Sequence, residues 1–247
     1  MQENLESNLQ LNLRKESDLE HYRVNTLYSK EPETISWIDS WTDLNSSHFF
    51  DIGANIGIYS FYAAARHKNL TVFSFEPESK NYCALIFNLL QNPDLSIVPL
   101  RFALSNLTEI SDIAINDSRV GNSNSQLNVK DLNSDLKFMT IRTDKVLRTK
   151  IDFLIESMKF PIPKFIKLDV DGHESQILEG ALQTLKNEKL VSILVEFNQE
   201  TTLDYWSIKL AKLGLVIDES FDRVPGHSSH RRKANQNLAR NYIFTRK

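Results

Sequence analysis

Phe49-Phe50-Asp51-Ile52-Gly53-Ala54-Asn55-Ile56-Gly57 is an apolar run entering a turn of small residues, and Phe73-Ser74-Phe75-Glu76 answers it one strand-helix-strand unit later. Together they predict a doubly wound α/β domain whose first turn holds a nucleotide-type cofactor. Gly53 and Gly57 carry no Cβ, so the chain can turn tightly out of a buried strand and let a ligand approach its main chain. The following helix, with Ile56, Tyr59, Phe61 and Ala64 as inward positions, presents backbone N–H groups and its positive dipole end to that ligand. Glu76, 25 residues after Asp51, closes the second strand, where a carboxylate accepts the hydroxyl protons of a ribose. A glycine turn alone would be only a turn; the flanking strands and Glu76 give it meaning.

Outward from this unit, strands and helical periods alternate: Ser47 to Ile52, the helix after Asn55, Leu70 to Glu76, a helix from Ser79 to Gln91, then Ser96 to Pro99. Residues 101–150 break the rhythm with short alternating runs, Ile110 to Ile115 and Phe138 to Arg142, around a polar loop from Asn116 to Asn133. This reads as a β insertion with a loop. Alternation resumes with Lys164 to Val170, a helix from His173 to Lys186, strand Leu190 to Phe197, helix Thr201 to Leu213, and strands near Leu215 to Phe221 and Arg240 to Thr245. Such alternation implies a parallel sheet with right-handed crossovers. Residues 1–45 form a helical arm outside this domain, with Ile35, Ile38 and Trp41 on one side of a helix after Glu31-Pro32; residues 46–247 form the catalytic domain.

The composition narrows the function. A chain of 247 residues with 41% hydrophobic residues holds one sizeable core, and a net charge of −3 offers no field for duplex nucleic acid. The single cysteine, Cys83, sits in a run that reads as the buried face of a helix, so neither a disulfide framework nor a structural zinc site is available. The first residues are polar and acidic where a signal peptide needs a basic start and an apolar core, and no eighteen apolar residues run together, which predicts a cytoplasmic protein without a membrane span.

In an open parallel sheet, ligands bind beyond the carboxyl ends of the strands. There, Phe165-Ile166-Lys167-Leu168-Asp169-Val170-Asp171-Gly172-His173-Glu174 gathers four acid, base or ligand groups around one glycine turn. The glycines four apart, with Asn55 between them and Asp51 ahead, depart from G-x-G-x-x-G and resemble the first motif of S-adenosylmethionine-dependent methyltransferases. DIGANIG, FSFEP and IKLDVDGHESQILEGA, in this order and spacing, resemble the FkbM-type methyltransferases over residues 48–198. Ala103-Leu104-Ser105, Gly121 to Ser125 and Ile141-Arg142-Thr143-Asp144 look like further segments of that family.

The resemblance implies a Rossmann-like class I methyltransferase: a mostly parallel seven-stranded sheet, helices on both faces and a terminal antiparallel β-hairpin. It implies S-adenosylmethionine as cofactor, usually for O-methylation. Asp51, Gly53, Asn55 and Gly57 match the cofactor loop, Glu76 the ribose acid, and Ala103, Leu104 and Ser105 the adenine-facing loop. Asp169 falls at the methyl end, while Asp171 and His173 stand where relatives vary.

Methyl transfer to a hydroxyl is an in-line displacement, and a base within hydrogen-bond reach of the acceptor contributes roughly 10²- to 10⁴-fold. Asp169, Asp171 and His173 are the base candidates. Asp171-Gly172 reads equally as a turn whose carboxylate caps the next helix, with Glu174 stabilising that helix's first turn, and Lys167 as a solvated strand residue. Asp169, Asp171, Glu174 and Glu196 could converge on a divalent cation, although spacing does not establish it and no metal is assigned.

Arg223, His227, His230, Arg231, Arg232 and Lys233 form a basic loop on the cofactor side, suited to an anionic acceptor or simply solvated. The Asn116 to Asn128 loop suits a polyhydroxylated ligand but has an ordinary surface composition, and Trp37, Trp41 and Trp206 lie in helical patterns that make them core. The acceptor expected is a small-molecule or glycan hydroxyl, a carbohydrate or natural product. An NAD-dependent oxidoreductase is the alternative, opposed by Asn55 and Asp51. An RNA methyltransferase is disfavoured by the acidic balance, and a non-catalytic scaffold by the intact motifs.

Overall fold

The computed structural model describes residues 9–123, 126–127, 140–227 and 239–247. Three helices come first: α1 (Asp18–Asn25), α2 (Leu27–Lys30) and α3 (Pro32–Asp39). Then follow β1 (Ser47–Ile52), α4 (Ile58–Arg66), β2 (Leu70–Phe75), α5 (Ser79–Leu90), β3 (Ile97–Leu100) and β4 (Ala103–Leu104). The middle holds β5 (Glu109–Ile115), β6 (Gln126–Leu127), β7 (Arg142–Thr149) and α6 (Ile151–Glu156). The chain continues through β8 (Phe165–Leu168), α7 (Glu174–Glu179), α8 (Leu182–Lys186), β9 (Ser192–Phe197), α9 (Glu200–Ala211), β10 (Leu215–Ile217) and β11 (Arg240–Arg246).

The main sheet has seven strands in the order β10-β11-β9-β8-β1-β2-β3. β9, β8, β1, β2 and β3 run parallel, and β11 lies antiparallel between β9 and β10, the terminal hairpin the sequence implies. Register aligns Ile52 with both Phe75 and Leu168, so the carboxyl ends of β1, β2 and β8 share one edge. Asn241 and Arg240 reach that edge from the other direction, opposite Glu196 and Phe197.

Strand alternation sends neighbours to opposite faces. Phe49 packs with α3 and α4 on one side, and Phe50 with α6 to α9 on the other. Helix α4 is buried from Ile58 to Ala65, which accounts for its run of small and aromatic residues. The insertion is a separate four-stranded sheet, β4-β7-β5-β6.

The arm packs into the same core as β1. Trp41 stacks on Phe165 with ring centroids 4.1 Å apart, and the Trp37 indole donates to Ser192 Oγ at 2.9 Å. Upstream, the backbone N–H groups of Asn12 and Arg14 donate to Asn92 and Asn88 of the α5 segment. All three tryptophans are buried.

Three expectations are corrected. The helix placed over His173 to Lys186 is two helices: between them the Asp152 N–H donates to the Gly180 carbonyl, the Asp152 carboxylate accepts from the N–H groups of Gln183 and Thr184, and a Cβ at Gly180 would lie 2.1 Å from the Ser105 carbonyl oxygen. Cys83 is exposed, the buried face of α5 being Asn81, Ala84, Leu85 and Asn88. The strand sought at Phe138 to Arg142 runs from Arg142 to Thr149, with Phe138 itself outside the described residues.

Candidate active site

The turn after β1 is built by positive backbone angles. Gly53, Asn55 and Gly57 have φ of 81°, 55° and 89°. What crowds Gly53 is the protein itself: a Cβ there would lie 2.0 Å from the Asp169 carbonyl oxygen. The glycine therefore brings the β1 and β8 turns together, a role the sequence reading gave to ligand approach. At Gly57 an added Cβ would meet the Phe61 ring at 2.8 Å.

Glu76, buried, binds this turn to the next. Its carboxylate accepts from the N–H of Asn55 at 2.8 Å and of Glu78 at 2.9 Å. Burial outweighs those bonds and pushes its pKa up to about 7. Asn55 Nδ2 and Asn81 Nδ2 both donate to the Asn122 carbonyl, at 2.6 and 2.9 Å, tying the Gly121–Ser123 loop over the turn. The arm joins from the other side, with Arg23 Nε donating to the Gly121 carbonyl at 2.6 Å.

Two cavities meet here. The polar one, about 180 Å³, is lined by Arg23, Lys30, Asn55, Glu76, Asn122, Asp169, Asp171 and Glu196 among others. The apolar one, about 40 Å³, is lined by Phe75, Phe102, Ala103, Leu104, Ile113, Leu127 and His173 among others. Gly53, Pro77 and Val170 line both.

Behind the polar cavity lies a charge network. Lys167 is fully buried, not solvated as its strand position suggested, and its ammonium meets Asp169 at 2.8 Å and lies 5.0 Å from the centre of the Tyr59 ring. Burial opposes ionisation of Asp169, but the ammonium groups of Lys167 and Lys30 prevail and hold its pKa at about 2. Glu174 accepts from the N–H groups of Val170 and Gly172, at 3.3 and 3.1 Å, and burial raises its pKa to about 7. It bonds the turn, whose Asp171 and Gly172 have φ of 52° and 104°. The N-cap residue of α7, His173, makes no side-chain capping bond.

The sequence-derived residues thus separate. Gly53, Asn55, Glu76, Asp169 and Asp171 line the polar cavity; Ala103, Leu104 and His173 line the apolar one. Asp51 lines neither: it is buried in β1, accepting a short hydrogen bond from Ser60, whose hydroxyl in turn accepts from Ser74. Gly57 and Ser105 also line neither, Ser105 being buried where its backbone meets Gly180. Among the described residues, no three His, Cys, Asp or Glu side chains come close enough to hold a metal ion. Asn124, Ser125, His230, Arg231, Arg232 and Lys233 lie outside the described residues; His227 is buried beside Asp222, which pairs with Arg240 at 2.8 Å.

Arg23 and Lys30 carried no signal in the sequence, since only the folding of the arm brings them to the cavity. Lys30 pairs with buried Glu31 at 2.6 Å. Glu196, a possible cation ligand by sequence, lines the cavity as the last polar residue of β9.

A seven-stranded sheet with its final strand reversed, and a paired polar and apolar cavity at its carboxyl edge, define the Rossmann-like class I methyltransferase architecture. Residues 51–223 match the methyltransferase FkbM domain, and the chain belongs to that family. It is 27% identical over 149 residues to the hexuronic acid methyltransferase AglP of Haloferax volcanii, a match that covers 58% of this chain and about half, 54%, of that protein. Among solved structures, it resembles a precorrin-6y C5,15-methyltransferase from Geobacter metallireducens (12% identity, 96% of this chain and 94% of that one, TM-score 0.44). It also resembles TrmK of M. capricolum, solved with S-adenosyl-homocysteine (9% identity, 86% and 67%, TM-score 0.42). No helix among the described residues is long and apolar enough to cross a membrane.

Proposed function

We propose that this protein methylates a hydroxyl of a sugar or related small molecule carrying negative charge. The observation that carries the reading is the junction of the two cavities at Gly53, Pro77 and Val170, with Glu76 on the polar side. A nucleoside with an amino-acid tail has this division of character. Phe102, Ala103, Leu104 and Ile113 would hold the adenine, the Glu76 carboxylate the ribose hydroxyls, and Asn55 and Gly53 the amino-acid end. Arg23 and Lys30 supply positive charge for carboxylates. The donor, when bound, supplies an electrophilic sulfonium methyl.

Asp169 is ionised at every working pH and committed to Lys167, which suits it to orient positive charge or a hydroxyl and makes it a weak proton acceptor. His173 lies on the adenine side and is assigned to packing there. A sugar acceptor follows from the relative's hexuronic acid activity together with Arg23 and Lys30 at the mouth. Incubation with methyl-labelled S-adenosylmethionine and a panel of uronic-acid glycans tests it. Label that survives mild alkali, as an ether does, is the expected result. Label released by alkali would mean an ester on a carboxylate and would overturn the hydroxyl assignment.

A further inference from the structure

Beside Asp171, five carboxylates stand around the polar cavity, and four of them are already held. Glu76 takes two backbone N–H groups, Glu174 two more, and Asp169 takes the Lys167 ammonium. Glu31 takes Lys30. Among the described residues Glu196, alone of these five, meets no hydrogen-bond or ion-pair partner, yet it lines the cavity at the end of β9, beside the Asp169 turn of β8.

We propose that Glu196 is the proton acceptor of the reaction, taking the hydroxyl proton of the acceptor; the assignment rests on the methyl-transfer reading above. As the acceptor oxygen's lone pair closes the new O–C bond, the S–C bonding pair stays on sulfur as a thioether and the hydroxyl proton passes to the Glu196 carboxylate, later to water. Charge moves consistently: the positive sulfonium is lost in the step that neutralises Glu196.

The surroundings couple its protonation to the donor. Burial first, then Asp169, Glu31 and Glu174, push the Glu196 pKa up to about 9, with Lys167 opposing. On the β11 side the facing residue is Asn241, which donates to Glu33, with Arg240 next to it; across the cavity stand Arg23, Lys30, Asp171 and Glu76. In the empty site Glu196 therefore keeps its proton at neutral pH. Positive charge entering the cavity favours the carboxylate and expels that proton, so the base forms when the donor is in place.

The experiment is calorimetric titration of the full chain with S-adenosylmethionine at pH 8, in two buffers of different ionisation enthalpy. Wild type should release about one more proton per donor bound than Glu196→Gln. Glutamine copies the protonated resting form, and Glu196→Asp, which keeps a carboxyl, should restore release. In the labelled-methyl assay, Glu196→Gln should lose roughly 10²- to 10⁴-fold in kcat while still binding donor. Equal proton counts in wild type and Glu196→Gln, both binding donor, would overturn this role and leave methyl transfer standing. Absence of donor binding by wild type would remove the methyl-transfer reading and this role with it.

Discussion

The two halves of the cavity are made differently. The half around Gly53, Asn55 and Glu76 comes from one strand-turn-helix-strand segment, and its geometry is mostly backbone: positive φ angles and N–H groups collected by one carboxylate. The other half is assembled from the arm, β8 and β9, and its character is side-chain charge: Lys30, Glu31, Lys167, Asp169 and Glu196 within one buried network. A local, backbone-built site is stiff and tolerates little change. A network of distant charges is tuned by its neighbours and can change protonation when a ligand enters.

Four measurements bear on this contrast. Trp37→Ala should have the largest effect, costing about 3–5 kcal/mol, because the indole is fully buried between the arm and β1 and bonds Ser192. Urea unfolding should show one destabilised transition. A separate early transition for the arm, with the rest unaffected, would make the charged half a loose attachment.

Gly53→Ala comes next, at about 2–4 kcal/mol from the strained φ and the overlap with the Asp169 carbonyl. Donor binding should be lost with it; retention of both stability and affinity would show the turn to be adaptable.

Glu76→Gln should weaken donor affinity by roughly 10- to 100-fold, the scale of hydrogen bonds to a charged group. The ionised carboxylate is the ribose acceptor and its pKa is about 7, so its contribution to wild-type affinity should grow between pH 6 and pH 8. The variant should lack that contribution. An unchanged pH profile would remove Glu76 from the ribose.

The fourth concerns stability against pH. Glu196 holds its proton in the fold to about pH 9 but loses it near the ordinary value of 4.5 when unfolded, so the native state binds more protons in that window and stability falls as pH rises through it. Glu196→Gln should therefore raise the melting temperature at pH 8 and leave it unchanged at pH 4. Asp169 has the opposite sign: its contribution is present above pH 3.8 and is lost as pH falls toward about 2.

The same contrast explains what the sequence revealed. β1, its turn and Glu76 were readable because a continuous apolar run, buried on both faces of the sheet, and positive-φ glycines leave marks within a few residues. Lys167 was misread because a lysine in a strand looks solvated until the partner that neutralises it, Asp169, is placed beside it. Arg23 and Lys30 left no mark, as their function depends on how α1 to α3 fold back. The break at Gly180 was hidden for a related reason: the groups that meet it, Asp152 and the Ser105 carbonyl, lie far off in the chain.

The central claim is that the polar and apolar cavities together hold one S-adenosyl donor. Titration of the wild-type chain with S-adenosylhomocysteine tests it most directly. Saturable binding at one site per chain is the expected result. No binding of S-adenosylhomocysteine, with NADH saturating instead, would contradict it.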